Sequence, residues 1–291
     1  HSILDSCTNY LLMNALRTTF LMVLLVVLFV LVGRVLGGQS GMAIALILAL
    51  AMNFFSYWFS DKLIVKLYKA QEIQQADAPQ LWEIVAHLAS RARLPMPKVY
   101  IIPSEQPNAF ATGRNPKHAA VAVTTGIIEI LDWKELEGVI GHELAHIKHN
   151  DILTGTIAAT IAGAITYLAQ MAYWLPIGRS DSRNGNPFVA LLLLVTAPIA
   201  AGLIQMAISR SREFEADAGG ATISGNPLAL ANALRKLEAG ARATPMNNAT
   251  PATAHLFQVS PFSGRQGISN LFSTHPSTVE RIRRLEAMAA R

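Results

Sequence analysis

Charge is what this sequence has least of. Only 15% of its 291 residues are Asp, Glu, Lys or Arg, against roughly 25% in an ordinary soluble domain. Over half the residues, 52%, are hydrophobic, and mean hydropathy is +0.33. That balance argues against a purely soluble chain and suits a membrane protein with a modest water-facing portion. Cysteine is nearly absent. A single Cys7 excludes an intrachain disulfide and fits a reducing compartment. Basic residues interleaved with aromatics are missing too, so the net charge of +5 does not point to nucleic acid. The cations after residue 60 lie beside apolar runs or on predicted helix faces, where anionic lipid is the fitting partner. No ionisable residue sits deep in an apolar run and no pair of broken helices is visible, which leaves a transporter without support.

What is present is four apolar runs. Residues 19–36 and 41–59 are long enough to cross about 30 Å of hydrocarbon as helices and are joined by "LGGQSG". Residues 152–175 and 187–208 form a second pair around "PIGRSDSRNGN". The third run, rich in Ala, Gly and Thr, has the small-residue spacing of closely packed membrane helices. Its plain alternative is a buried soluble helix. The expected organisation is an extension at 1–12, unlike the natural-looking start at Met13, then a two-span hairpin at 13–61. The first part of a water-facing domain follows at 62–151, a second two-span hairpin at 152–208, and the rest of that domain at 209–291. Lys62, Lys66 and Lys69 follow the second run and Arg210 and Arg212 follow the fourth. The positive-inside rule puts those segments in the cytoplasm.

In the polar segments, "DAPQLWEIVAHLASRARL" carries Leu81, Ile84, Val85, Leu88 and Ala89 at helical spacing. "KVYII" and "AAVAVTTGIIEIL" read as strands. Alternation along the second puts Val121 and Val123 on one face, and predicts an exposed edge strand at which an extended substrate pairs. "DWKELEGVIGHELAHIKHN" reads as a helix, with Asp132 as N-cap and Glu135 completing a capping box. "PSTVERIRRLEAMAAR" reads as a C-terminal helix.

The chemistry lies in "VIGHELAHIKHND", residues 139–151. His142 and His146, four apart, stack on one helical face, where two imidazoles can share one tetrahedral ion. Glu143 projects beside them. This is the H-E-x-x-H arrangement, in which zinc acidifies a water and the carboxylate takes its proton. Its bland alternative is a polar helix with a chance histidine pair. A catalytic zinc site needs a third protein ligand. His149 is seven residues from His142, about 10.5 Å along a helix, and is too far. In "SREFEADAGGA" (211–221), Glu213 and Asp217 share a face. Glu213 is the candidate third ligand, ahead of Glu215, and Asp217 is a candidate orienter of a ligand histidine. The segment taken alone also reads as a solvated acidic helix start.

Together with "PNAFATG" (107–113) and "THPSTVERIRRL" (274–285), these motifs resemble those of the HtpX heat-shock membrane metalloproteases, relatives of the CAAX prenyl proteases. The resemblance runs from Met13 to the end. It implies an α-helical integral membrane protein with four spans, carrying a mainly α, small-sheet catalytic domain of the zincin type (gluzincin). It further implies one Zn2+ per chain on His142, His146 and Glu213, with Glu143 as base. The implied activity is a zinc endopeptidase of the bacterial inner membrane, facing the cytoplasm and acting on misfolded membrane proteins. Asn108 is implied near a strand bordering the cleft. His275 and Arg281 fall in the family's H-P-x-x-x-x-R pattern, and a histidine or arginine there suits an oxyanion or substrate contact. A protease selective for one substrate and a catalytically silent zinc-bound scaffold are the competing readings. Glu143 argues against the scaffold, since a structural site needs no base.

Overall fold

The structure is a computed structural model that describes residues 2–155, 157, 210–243 and 276–290. Its N-terminal element, α1 (Ser2–Leu67), is a helical hairpin. Two arms meet at Gly37–Gly38, where the backbone leaves the helical region and Gly38 adopts φ 61°. That conformation suits glycine alone. The stretches Ala15–Arg34 and Gly37–Phe59 are each long and apolar enough to cross a membrane. The arms approach closely at their turn: a Cβ on Gly33 would lie 2.4 Å from the Gly41 carbonyl oxygen. Leu21, Leu25, Phe29, Ala45 and Ala49 are buried between the arms, while Phe20, Leu31, Ile47 and Phe54 face outward. An apolar exterior of this kind is what a bilayer covers.

Two candidate spans are therefore present among the described residues. The expected third and fourth spans lie outside them except for residues 152–155 and 157. Ile152 joins the core of the more polar half, and Leu153, Thr154 and Ile157 pack on the hairpin. Ile157 joins its apolar cluster, and the Thr154 and Thr18 hydroxyls are hydrogen-bonded at 2.9 Å.

The more polar half follows. Helix α2 (Pro79–Ala92) buries the five residues its periodicity predicts. Strands β1 (Gln71–Glu72), β2 (Lys98–Ile102), β3 (Ala109–Gly113) and β4 (Ala119–Thr124) form one sheet in the order β1-β2-β4-β3. β4 pairs parallel with β2 and antiparallel with β3. Val121 and Val123 are wholly buried. The expectation that they form an exposed edge is corrected: β4 is central, its main chain committed to strands on both sides, and β3 and the two-residue β1 are the edges. Residues 125–130 are also not strand. Thr124 caps a short helix, α3 (Thr125–Ile130), by accepting from the Ile127 N–H.

Helix α4 (Trp133–Lys148) opens with the expected capping box between Asp132 and Glu135. It ends at His149, and Asn150 takes a left-handed φ of 56°. The helix therefore does not run straight into the third apolar run. Beyond residue 209 come α5 (Arg210–Ser224), α6 (Pro227–Ala243) and α7 (Thr278–Ala289). The inner sheet face and these helices share one core built on Val121, Val123, Val139, Ile140, Leu144 and Leu234. Burying each large aliphatic side chain there contributes about 1.5–3 kcal/mol.

Candidate metal centre

α4 and α5 pack backbone against backbone at the histidine pair. A Cβ on Gly220 would lie 2.6 Å from the His142 nitrogen, and one on Gly141 would lie 2.9 Å from the Gly220 carbonyl oxygen. Glycine at both positions removes the side chains that would hold the helices apart. The contact sets Asp217 and Glu213, one and two turns earlier on α5, beside the face of α4 that carries His142 and His146.

The result is a three-residue donor set. His142 and His146 face each other with Nε2 atoms 3.1 Å apart. Glu213 Oε2 is 3.8 Å from His142 Nε2, and Oε1 is 3.6 Å from His146 Nε2. Ligand atoms about 2.0–2.2 Å from a tetrahedral zinc sit about 3.3–3.6 Å apart, so the set fits such an ion. Among the described residues it is the group of His, Cys, Asp and Glu so arranged. His149, at the C-cap of α4, is outside it.

Charge balance points the same way. Glu143, Asp151, Glu213 and Asp217 are buried here together with two guanidiniums, Arg212 and Arg281. Four carboxylates against two cations leave a deficit that one divalent ion neutralises, and buried charge must be compensated. The protein alone makes up the deficit with protons. Burial pushes the Glu143 carboxyl up to about 7, although His146 and the Ala111 N–H oppose it. Burial would lower His146, but its bond to Asp151 and the nearby Glu213 and Glu143 prevail and raise it to about 9. Burial lowers His142, against the opposing pull of Asp217.

Carboxylates stand behind both imidazoles. His142 Nδ1 is 2.9 Å from Asp217 Oδ1. Asp217 in turn accepts two bonds from Arg281, Nε to Oδ2 at 2.8 Å and Nη2 to Oδ1 at 2.7 Å. Burial would raise the Asp217 carboxyl, but Arg281 and His142 hold it down at about 2. Arg281 is 1% exposed, and its Nη1 lies 3.8 Å from Glu213. The expected oxyanion or substrate contact for Arg281 is corrected on this geometry. Its fork grips Asp217 beneath the donor set. His146 Nδ1 is 3.3 Å from Asp151 Oδ2, and Arg212 Nη1 is 3.8 Å from Asp151 Oδ1.

Glu143, 4% exposed, points at the sheet and accepts from the Ala111 N–H at 2.6 Å. Asn108 precedes β3 and is buried. Its N–H donates to the Thr124 hydroxyl, and its carbonyl accepts from the Thr124 N–H. His275 lies outside the described residues. Sequence reasoning missed Asp151, Arg212 and the glycine pair. All three were visible as letters inside the two motifs.

Residues 75–289 match the family model described as Peptidase family M48. Over 283 residues the chain is 61% identical to a protein named Protease HtpX homolog from Thermodesulfovibrio yellowstonii, covering 96% of this chain and 100% of that one. It is 56% identical over 277 residues to the protein of the same name from Methylibium petroleiphilum, covering 94% and 98%. The crystal structure of S. mikatae Ste24p resembles it at a TM-score of 0.54 and 15% identity, over 96% of this chain and 67% of that one. That likeness concerns the fold.

Proposed function

The chain belongs to peptidase family M48, whose members are metallopeptidases, and from that premise we propose that it is a membrane-bound, zinc-dependent endopeptidase. The family makes it a metalloprotease of the membrane. The metal, the mechanism, the substrates and the orientation are the proposal. The observation that carries it is the convergence of His142, His146 and Glu213 on one locus, with a buried carboxyl, Glu143, beside it.

His142, His146 and Glu213 would hold one zinc. When bound, zinc supplies Lewis acidity, polarising the scissile carbonyl and acidifying the attacking water. Glu143 takes a proton from that water as its oxygen bonds to the carbonyl carbon. The same carboxyl then gives the proton to the nitrogen as the C–N bond breaks. In the metal-free protein burial already raises this carboxyl to about 7, so it both accepts and returns a proton readily. Asp217, gripped by Arg281, keeps the His142 ring turned to the metal. His275 is assigned to the oxyanion on the resemblance alone.

Substrate docking moves to β3. Asn108 and Thr124 are joined by main-chain and hydroxyl bonds. The alternation of an antiparallel ladder then turns the main-chain groups of Ala109, Ala111 and Gly113 to the side away from β4. The Ala111 N–H already reaches Glu143, so an extended peptide on that edge lies beside the base. Pairing of this kind reads main chain more than side chains, which favours misfolded, locally unfolded membrane proteins over one selected sequence. Four spans and a cytoplasmic catalytic face are read from the apolar runs and the placement of cations, and the inner membrane from the family resemblance.

Glu143→Gln tests the mechanism. The variant is expected to keep one zinc per chain and to lose proteolysis by about 10²–10⁴-fold. A zinc-loaded Glu143→Gln protein that cleaves at the wild-type rate would sink it.

A further inference from the structure

Asp151 and Arg212 have no part in the chemistry above, yet both are charged and buried, at 6% and 3% exposure. Charged side chains tolerate such burial only with partners. One Asp151 oxygen lies 3.3 Å from His146 Nδ1 and the other 3.8 Å from Arg212 Nη1. The sequence of contacts imidazole, carboxylate, guanidinium repeats the one behind His142. On a continuous helix Asp151, five residues after His146, would point away from the ring. The break at His149–Asn150, with Asn150 at φ 56°, returns it.

We propose that Asp151 is a positioning residue for His146 and Arg212 its anchor, so that this ion pair ties both ends of the apolar 152–208 stretch to the metal centre. The inference rests on the reading of His146 as a metal ligand. A ligand imidazole must present its Nε2 lone pair, which requires the proton on Nδ1. Asp151 accepts that Nδ1–H, selecting the tautomer and fixing the ring. Asp151 immediately precedes the third apolar run and Arg212 follows the fourth. One pair therefore closes the chain around the whole stretch and bears on a ligand at once. Any change in the spacing of the stretch's two ends is felt at His146.

The test is zinc affinity by chelator competition in the detergent-purified full chain, with the visible spectrum of the cobalt(II)-substituted protein as a report of ligand geometry. Asp151→Ala is expected to weaken zinc binding about 10–100-fold and to shift the cobalt bands. Asp151→Asn, whose amide oxygen still accepts from Nδ1, is expected to weaken it about tenfold. Arg212→Gln should weaken binding in the Asp151 protein and add nothing in the Asp151→Ala background. An equal loss from Arg212→Gln in both backgrounds overturns its role as anchor. His146→Ala separates this inference from the one beneath it. Wild-type affinity in His146→Ala removes His146 from the ligand set. Lost affinity there, with Asp151→Asn unchanged in affinity and cobalt spectrum, overturns the positioning role even if Asp151→Ala fails to fold.

Discussion

The two histidines of α4 are four residues apart and chemically alike, but they are supported unequally. Behind His142 the distances are 2.9 Å to Asp217 and 2.8 and 2.7 Å from Asp217 to Arg281. Behind His146 they are 3.3 Å to Asp151 and 3.8 Å from Asp151 to Arg212. The close arm is assembled from α4, α5 and α7, all within the catalytic half. The looser arm sits where the chain leaves for the apolar stretch and returns from it. A metal site built this way has one ligand fixed by the folded core and one that answers to the spacing of residues 151 and 212.

The difference sets the order of expected effects. Arg281→Ala strips a buried carboxylate of its bidentate partner, and should cost about 3–5 kcal/mol in stability, read as a lowered denaturation midpoint. Arg212→Ala, acting on a 3.8 Å pair, should cost less. Equal losses would erase the distinction between the arms. Asp217→Asn should weaken zinc binding toward the upper end of the 10–100-fold range, roughly a hundredfold, and more than Asp151→Asn does. The reverse order would make the His146 arm the dominant one. The smallest effect is one of pH. In the metal-free protein His146 keeps its proton up to about 9, and a metal must displace it. Apparent zinc affinity should therefore rise about tenfold per pH unit from 6 toward 9. Asp151→Asn removes a charge that holds this proton, so its curve should level off at lower pH. Coincident curves for the two proteins would show that Asp151 does not act on His146.

Much of the site was legible because it is local. The four-residue spacings of His142 and His146, and of Glu213 and Asp217, fix shared helix faces, and the capping box at Asp132 and Glu135 marks where α4 starts. What the letters concealed is set by distant partners. Alternation along "AAVAVT" gives the two faces of β4 but not its neighbours, so a central strand passed for an edge. The true edge, "AFATG", has few β-branched residues to announce it. Arg281 reads as an oxyanion or substrate contact until α7 is placed over α5, because Asp217 is 64 residues away. Asp151 was hidden by the helix break at His149–Asn150. Gly141 and Gly220 declare a close approach only once α4 lies against α5.

The central claim is that one metal is held by His142, His146 and Glu213. Elemental analysis of zinc in the purified wild-type, Glu213→Ala and Glu215→Ala proteins tests it most directly. One zinc per chain in the wild type and in Glu215→Ala, with zinc lost from Glu213→Ala, is the predicted result. Full zinc in Glu213→Ala together with its loss from Glu215→Ala would contradict the account.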